Sequence, residues 1–228
     1  MQNRLAEIQR RIAAACQRAG RNPEEVALLP VSKTFGPDAL RQAAALGLRR
    51  FGENKVQELR QKAEALADLD LQWVLIGHLQ SNKARDVVRY VSEVQSLDRL
   101  SLAQALDQRL QAEGRSLDVL VQVKTSDEPS KTGLDVSELP VFLRQLRSFD
   151  TLRVRGLMTL AVNSPDEALV RACFRTLRQW RDRLREEGYD QLERLSMGMS
   201  GDFELAIEEG STEVRIGSAL FGQRDYSA

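Results

Sequence analysis

A chain of 228 residues, 42% hydrophobic and 29% charged, has the size and composition of one soluble domain with a sizeable core. Basic and acidic side chains balance at 33 each, so no net field draws the chain to nucleic acid or to an acidic membrane surface. His78, Cys16 and Cys173 are too few and too scattered for a typical zinc site, no window approaches the ~18 apolar residues of a membrane span, and Met1 to Glu7 has no apolar leader core, so the expectation is a reduced, cytoplasmic protein.

Leu5, Ile8, Ile12, Ala15 and Ala19 recur at three- and four-residue steps and predict an amphipathic helix ending at Gly20. An alternation then begins. Val26 to Ser32 predicts a strand, Pro37 opens a helix toward Leu46, Arg50 to Glu53 gives a second strand and Val56 to Leu66 a helix. Gln72 to Ile76 is a third strand stopped at Gly77, and Ser81 is placed to cap a helix toward Tyr90. Val91 to Leu97 is a fourth strand, Leu100 to Ala112 a helix and Leu117 to Val123 a fifth strand.

The second half continues with a helix over Val136 to Leu146 and a sixth strand over Leu152 to Leu160. Leu169, Ala172, Cys173, Leu177, Trp180 and Leu184 mark one face of a long helix, whose charges at Arg178, Arg181, Asp182 and Arg183 read as its solvated side. Cys16 and Cys173 read as small buried hydrophobes. Leu192 to Met199, a short helix at Phe203 to Glu208, and Glu213 to Gly217 complete eight strand-helix steps, with the last helix left to the terminal residues. Eight βα units without a Pro-, Gly- or Ser-rich linker predict one α/β domain over 1–228, a (β/α)8 TIM barrel with an extra N-terminal helix.

In such barrels the site is built at the C-terminal ends of the strands, often with phosphate held after the seventh and eighth. Lys33, Asn54, His78, Ser196, Ser200 and Arg215 all fall at such ends. Each has an ordinary alternative: a solvated lysine, a turn asparagine, a loop or cap histidine. The Gly- and Ser-rich run from Ser196 to Asp202, with Gly217 and Ser218, has the composition of a phosphate cradle, since Gly lets backbone amides approach an anion closely. The alternative is that these glycines only make tight turns.

Lys33 adds an amine at the end of the first strand, where burial near Arg215 would disfavour its charge and make it nucleophilic toward an aldehyde. An aldehyde bearing a phosphate points to pyridoxal phosphate. A permanent cation at Arg215, placed beside the pyridine nitrogen, would keep that nitrogen unprotonated and the cofactor a weak electron sink.

The motifs Val31-Ser32-Lys33-Thr34, Phe51-Gly52-Glu53-Asn54 with Val56-Gln57-Glu58, Ile76-Gly77 with Leu79-Gln80-Ser81-Asn82-Lys83, Ser196-Met197-Gly198-Met199-Ser200 and Gly210 to Gly217 resemble the pyridoxal phosphate homeostasis protein family. They run in order over nearly the whole chain. The family is similar to the isolated barrel domain of alanine racemase, the fold-type III arrangement. The resemblance implies that Lys33 is the Schiff-base lysine and that Arg215 faces the pyridine nitrogen. It further implies that Ser196, Ser200, Gly217 and Ser218, with the backbone around Met199, hold the phosphate, and that Asn54 lies near the ring. Two positions depart from the family: Lys55 stands where Tyr is usual, and Lys124 where Asn is common.

The expected function is a non-catalytic protein that holds pyridoxal phosphate on Lys33 and buffers or delivers it within the cell, as a monomer, with apo-enzymes or a regulatory protein as candidate partners. The alternative is a fold-type III amino-acid racemase or decarboxylase. Racemisation needs an acid/base group on each face of the substrate, and Lys33 covers one. The related racemases take their second base, a Tyr, from another subunit. Here Tyr90 and Tyr189 fall within or after helices and Tyr226 in the tail, none at a strand end. A barrel for some sugar phosphate is a third reading, because fold does not fix function.

Overall fold

The computed structural model describes residues 1–126, 128 and 132–222. Its strands are β1 (Ala27–Pro30), β2 (Arg50–Glu53), β3 (Gln72–Leu75), β4 (Val91–Leu97), β5 (Leu117–Lys124), β6 (Leu134–Asp135), β7 (Leu152–Met158), β8 (Arg194–Ser196) and β9 (Glu213–Ile216). All pairings are parallel, in the order β1-β9-β8-β7-β5-β4-β3-β2, and β6 pairs only with the end of β5. The ring closes where Val31 bridges Gly52 and the Ser32 amide donates to the Gly52 carbonyl at 3.1 Å. The eight predicted barrel strands are therefore present, the sixth to eighth being β7, β8 and β9, and the (β/α)8 expectation holds.

The helices are α1 (Gln2–Arg18), α2 (Pro37–Ala45), α3 (Val56–Ala65), α4 (Ala84–Val88), α5 (Leu100–Glu113), α6 (Leu139–Leu146), α7 (Glu167–Glu186), α8 (Phe203–Glu208) and α9 (Ser218–Phe221). Helix α1 buries Leu5, Ile8, Ile12, Ala15 and Cys16 and packs on α8 and α9. Arginines pin it there: Arg4 Nε donates to the Leu220 carbonyl at 2.7 Å, and Arg21 Nη1 to the carbonyls of Ile207 and Ser211, both at 2.8 Å. Cys16 and Cys173 are buried, free thiols. None of the helices among the described residues is long and apolar enough to cross a membrane.

Three boundary expectations change. Ser81 does not cap a helix; it opens a one-turn 3-10 segment, and its hydroxyl lies 3.4 Å from Arg99 Nη2 instead. The predicted seventh strand shrinks to β8 because Gly198, at φ +99°, turns the chain. The last helix is the single turn α9, and residues 223–228, Tyr226 among them, lie outside the described residues. The charged face of α7 is only partly solvated, since Arg171 and Arg175 meet Glu208 and Glu209.

Hydrogen bonds between strands that are not neighbours in the ring must cross its interior, and they show that one sector of the lumen is polar. At the strand starts Glu93 (β4) and Glu213 (β9), 4% and 1% exposed, are bridged by Arg50 (β2) and Arg194 (β8). Arg50 Nη2 reaches Glu93 at 2.8 Å, and Arg194 reaches Glu93 at 2.6 Å and Glu213 at 2.9 Å. Burial acts to raise the Glu213 carboxyl, but Arg50 and Arg194 outweigh it and hold its pKa below the ordinary carboxylate value.

A group with a depressed folded-state pKa contributes stability above its unfolded pKa, and that contribution disappears as pH falls through the folded value. Glu213→Gln should therefore cost roughly 3 kcal/mol at neutral pH, because it leaves two guanidiniums short of a carboxylate. Chemical denaturation at several pH values checks this: the gap between wild type and variant should close as pH drops below about 4.

Candidate functional site

A cavity of about 430 Å³ opens at the C-terminal ends of the strands, within the range of small-molecule sites. It is lined from β1 by Val31, Lys33 and Phe35, from β2 and β3 by Asn54, Ile76, Gly77 and His78, and from β5 and β7 by Gln122, Thr132 and Leu160. The last strands add Met199, Ser200, Gly201, Arg215, Gly217 and Ser218. Of the nine residues singled out from the sequence, eight meet in this cavity.

Lys33 stands where β1 ends, on a backbone held from below. Ser32 and Lys62 both donate to Glu53 Oε1, with Lys62 Nζ at 2.6 Å, and Lys62 Nζ also reaches the Ser32 carbonyl at 2.8 Å. These groups are buried, with Lys62 at 6% and Glu53 at 0% exposure, so the strand ends that carry Lys33 and Asn54 are cross-linked beneath the cavity. Burial pushes the Glu53 carboxyl up, against the pull of Lys62. Thr34 takes φ +72°, rare for a β-branched residue, and its amide donates to Glu58 Oε2 at 3.0 Å. That turn sets the direction in which Lys33 leaves the strand.

Arg215, 3% exposed, lines the cavity from β9, the strand that pairs with β1. Its Nη1 donates to Ser196 Oγ at 2.7 Å and its Nη2 to the Thr159 carbonyl at 2.8 Å. Both acceptors are neutral. Burial lowers its pKa to about 10, so it remains a cation at neutral pH. Ser196 is the one expected residue that does not line the cavity: it is fully buried behind Arg215, its hydroxyl donating to Gln95 Oε1 at 2.7 Å while it accepts from Arg215. The backbone amide of Met199 is also committed, donating to Asp202 Oδ1 at 2.6 Å, and the residue lines the cavity.

Ser200, Gly201, Gly217 and Ser218 add a small-residue wall to the same cavity. A Cβ at Gly217 would sit 3.3 Å from the Val31 carbonyl, and one at Gly198 would strike Ala206 at 2.6 Å, so both glycines let the last loops close over the barrel. A Cβ at Gly77 would fall 2.1 Å from the Asn54 carbonyl, which makes glycine obligatory where the β2 and β3 loops touch and holds Asn54 at the cavity. His78 lines the cavity half-exposed, its Nδ1 3.7 Å from Asp98 Oδ2.

The two departures from the family pattern lie outside this cavity. Lys55 borders an adjoining groove with Gln80 and Lys83, and Lys124 a separate depression with Thr125 and Asp135. The sequence reading missed Gln122, Gln95 and the Glu93–Glu213 pair. Gln122 interrupts the apolar run of β5, and that was the available signal; β4 and β9 carry several polar residues each and gave none.

The alanine racemase N-terminal domain family matches residues 4–225. The chain is 45% identical over 224 residues to the pyridoxal phosphate homeostasis protein of Pseudomonas aeruginosa, covering 98% of this chain and 96% of that one. Its structure is similar to that of PipY from Synechococcus elongatus with PLP bound, at TM-score 0.82 and 40% identity, covering 94% of this chain and all of that one. A Clostridium difficile alanine racemase shares the fold at TM-score 0.73 and 13% identity, the chain covering 57% of it. An amine, a buried cation and a wall of small residues thus meet in one cavity of a barrel whose curated relatives match over nearly their full length, and the chain belongs to the pyridoxal phosphate homeostasis protein family.

Proposed function

We propose that this protein binds pyridoxal 5'-phosphate at Lys33 and serves to buffer or deliver it inside the cell, without turnover of its own. The observation that carries the reading is that Lys33, Arg215, Ser200, Gly201, Gly217 and Ser218 all line one cavity at the C-terminal ends of the strands. The residues fit the cofactor. Lys33 offers the amine with which the aldehyde condenses, releasing water. The small-residue wall offers a hydroxyl and closely approachable backbone for the phosphate, with the opening amides of α9 lacking intrahelical partners. Arg215 is a buried cation whose own hydrogen bonds go to neutral acceptors, and it suits a ring nitrogen that stays unprotonated.

When bound, the cofactor supplies an electron sink, and the chain supplies little to exploit it. Arg215 in place of a carboxylate weakens that sink. Tyr90 donates to Glu64 at 2.7 Å, and Tyr189 is buried against the α6 side of the barrel, so neither lines the cavity. The chemistry of the site suits delivery to apo-enzymes, because an incoming amine can displace Lys33 without a second catalytic group. One observation favours the rival amino-acid enzyme: His78 also borders the cavity and is a candidate second base.

Borohydride reduction of the loaded protein, followed by peptide mapping, should place the cofactor mass on Lys33. Recovery on Lys55, Lys83 or Lys124 instead would refute the assignment, and Lys33→Ala should lose the covalent adduct. Ser200→Ala should weaken cofactor binding by about ten- to hundredfold, or roughly 1.5–3 kcal/mol, for a lost hydrogen bond to a charged group. Gly217→Val should weaken it further; equilibrium dialysis measures both.

Incubation with L-alanine, L-lysine, L-ornithine and L-arginine should change the spectrum at most, leaving enantiomer ratio and carbon dioxide release at background. Sustained turnover abolished by both Lys33→Ala and His78→Ala would overturn the carrier reading in favour of a two-base enzyme. Transfer of cofactor to an apo-enzyme at a rate above that of free diffusion and rebinding would support delivery.

A further inference from the structure

We infer that Gln95 and Ser196 are positioning residues that transmit the anchoring of the Glu93–Glu213 pair to Arg215, and so fix the guanidinium against the cofactor's ring. The inference rests on the proposed binding of pyridoxal phosphate. It concerns residues that touch neither the cavity nor the cofactor.

The chain of contacts is continuous across the barrel. Gln95 is fully buried, and its Nε2 donates to Glu93 Oε1 at 2.7 Å and also to Glu213 Oε1. Two carboxylates accept only, so they dictate which end of the amide faces them: the NH₂ must point to the cage and the Oε1 away from it. That oxygen receives the Ser196 hydroxyl at 2.7 Å. With its single proton committed to Gln95, Ser196 can present only a lone pair to Arg215 Nη1, also at 2.7 Å. Every hydrogen bond between the cage and Arg215 thus has one permitted direction.

The second guanidinium nitrogen is tied to the Thr159 carbonyl at 2.8 Å, and Thr159 is itself fixed by its hydroxyl donating to the Val123 carbonyl at 2.8 Å. Arg215 is held at two points on different strands, β8 and the end of β7. A planar fork held at two nitrogens has a defined plane, and its remaining N–H groups have a defined aim. Without the Ser196 anchor the fork can turn about the Thr159 contact. A ring nitrogen that has lost its aligned N–H is then open to take a proton instead.

The residue types fit this role better than simple core filling. A serine and a glutamine stand at 0% exposure in the interior of a barrel. Buried polar groups are retained at a cost in stability unless each is satisfied. Here both are satisfied, and the satisfaction ends on Arg215, whose side-chain hydrogen bonds among the described residues go to neutral acceptors.

The test uses the full chain with Gln95→Met, which keeps volume and removes all three of its hydrogen bonds, with Ser196→Ala, and with Ser196→Thr as the rescue. In the cofactor-free protein, the ¹⁵N-labelled guanidinium of Arg215 should exchange its protons slowly in wild type and Ser196→Thr and rapidly in Gln95→Met and Ser196→Ala. With ring-¹⁵N pyridoxal phosphate loaded, the ring nitrogen should be unprotonated near neutral pH in wild type. It should move toward the protonated resonance in Gln95→Met and Ser196→Ala, with a cofactor dissociation constant roughly tenfold higher, about 1.4 kcal/mol.

Wild-type exchange and an unmoved ring-nitrogen resonance in folded Gln95→Met, with borohydride still fixing the cofactor on Lys33, would overturn the relay while leaving the binding site intact. Reduction that labels another residue in wild type would instead remove the reading on which the inference rests. If Ser196→Thr does not fold, Gln95→Met alone decides.

Discussion

Glu93 and Glu213 are the constraint on which the rest of the barrel is arranged. Two carboxylates nearly removed from water inside a closed ring carry a desolvation cost that only well-placed cations and donors can offset. Arg50 and Arg194 supply the charge, and Gln95 supplies the remaining donor. The result is a neutral quartet at the strand starts, a layer of oriented dipoles above it, and a single guanidinium at the cavity. Because Arg50, Glu93, Arg194 and Glu213 belong to four different strands, the same contacts that satisfy the charges also fix the stagger of β2, β4, β8 and β9 relative to one another.

The other half of the site is arranged by a second buried group, and it acts on backbone more than on charge. Lys62, Glu53 and Ser32 lock the ends of β1 and β2 together directly under Lys33 and Asn54. The left-handed Thr34 costs on the order of 1–3 kcal/mol and persists because Glu58 holds its amide. Strain thus sits one residue after Lys33. The cavity is held by two buried networks, one beneath the backbone at Lys33 and one behind Arg215 on β9.

The hydrophobic period and the glycine punctuation were enough to read the barrel from the sequence, because eight apolar runs of strand length alternate with amphipathic segments of helix length. The ends were read too long at Leu192 to Met199, where Gly198 turns the chain, and too simply at Ser81, whose hydroxyl turns toward Arg99. Lys33, Asn54, Ser200, Arg215, Gly217 and Ser218 were legible because strand ends in a parallel barrel converge on one face. Ser196 was placed with them for the same reason, yet strand alternation puts its side chain one layer down. The cage was not legible: Glu93, Glu213, Arg50 and Arg194 are far apart in sequence, and nothing local distinguishes a charge in a lumen from a charge on a surface.

Sharing a barrel with alanine racemase does not carry that enzyme's chemistry across, since the fold positions strand ends and the side chains there decide what happens. An enzyme acting on the α-carbon of an amino acid needs a strong electron sink and proton transfer groups on both faces. A carrier needs reversible attachment, a firm hold on the phosphate and an opening through which another amine can reach the same carbon. The arrangement described here suits the second set: Lys33, a buried cation whose described hydrogen bonds go to neutral acceptors, a wall of serine and glycine, and a mouth at Asn54 and His78 that continues into the groove bordered by Lys55 and Lys83. On the proposed reading such a mouth would admit an attacking lysine from outside, and the weak sink behind it would keep the cofactor from reacting before it left.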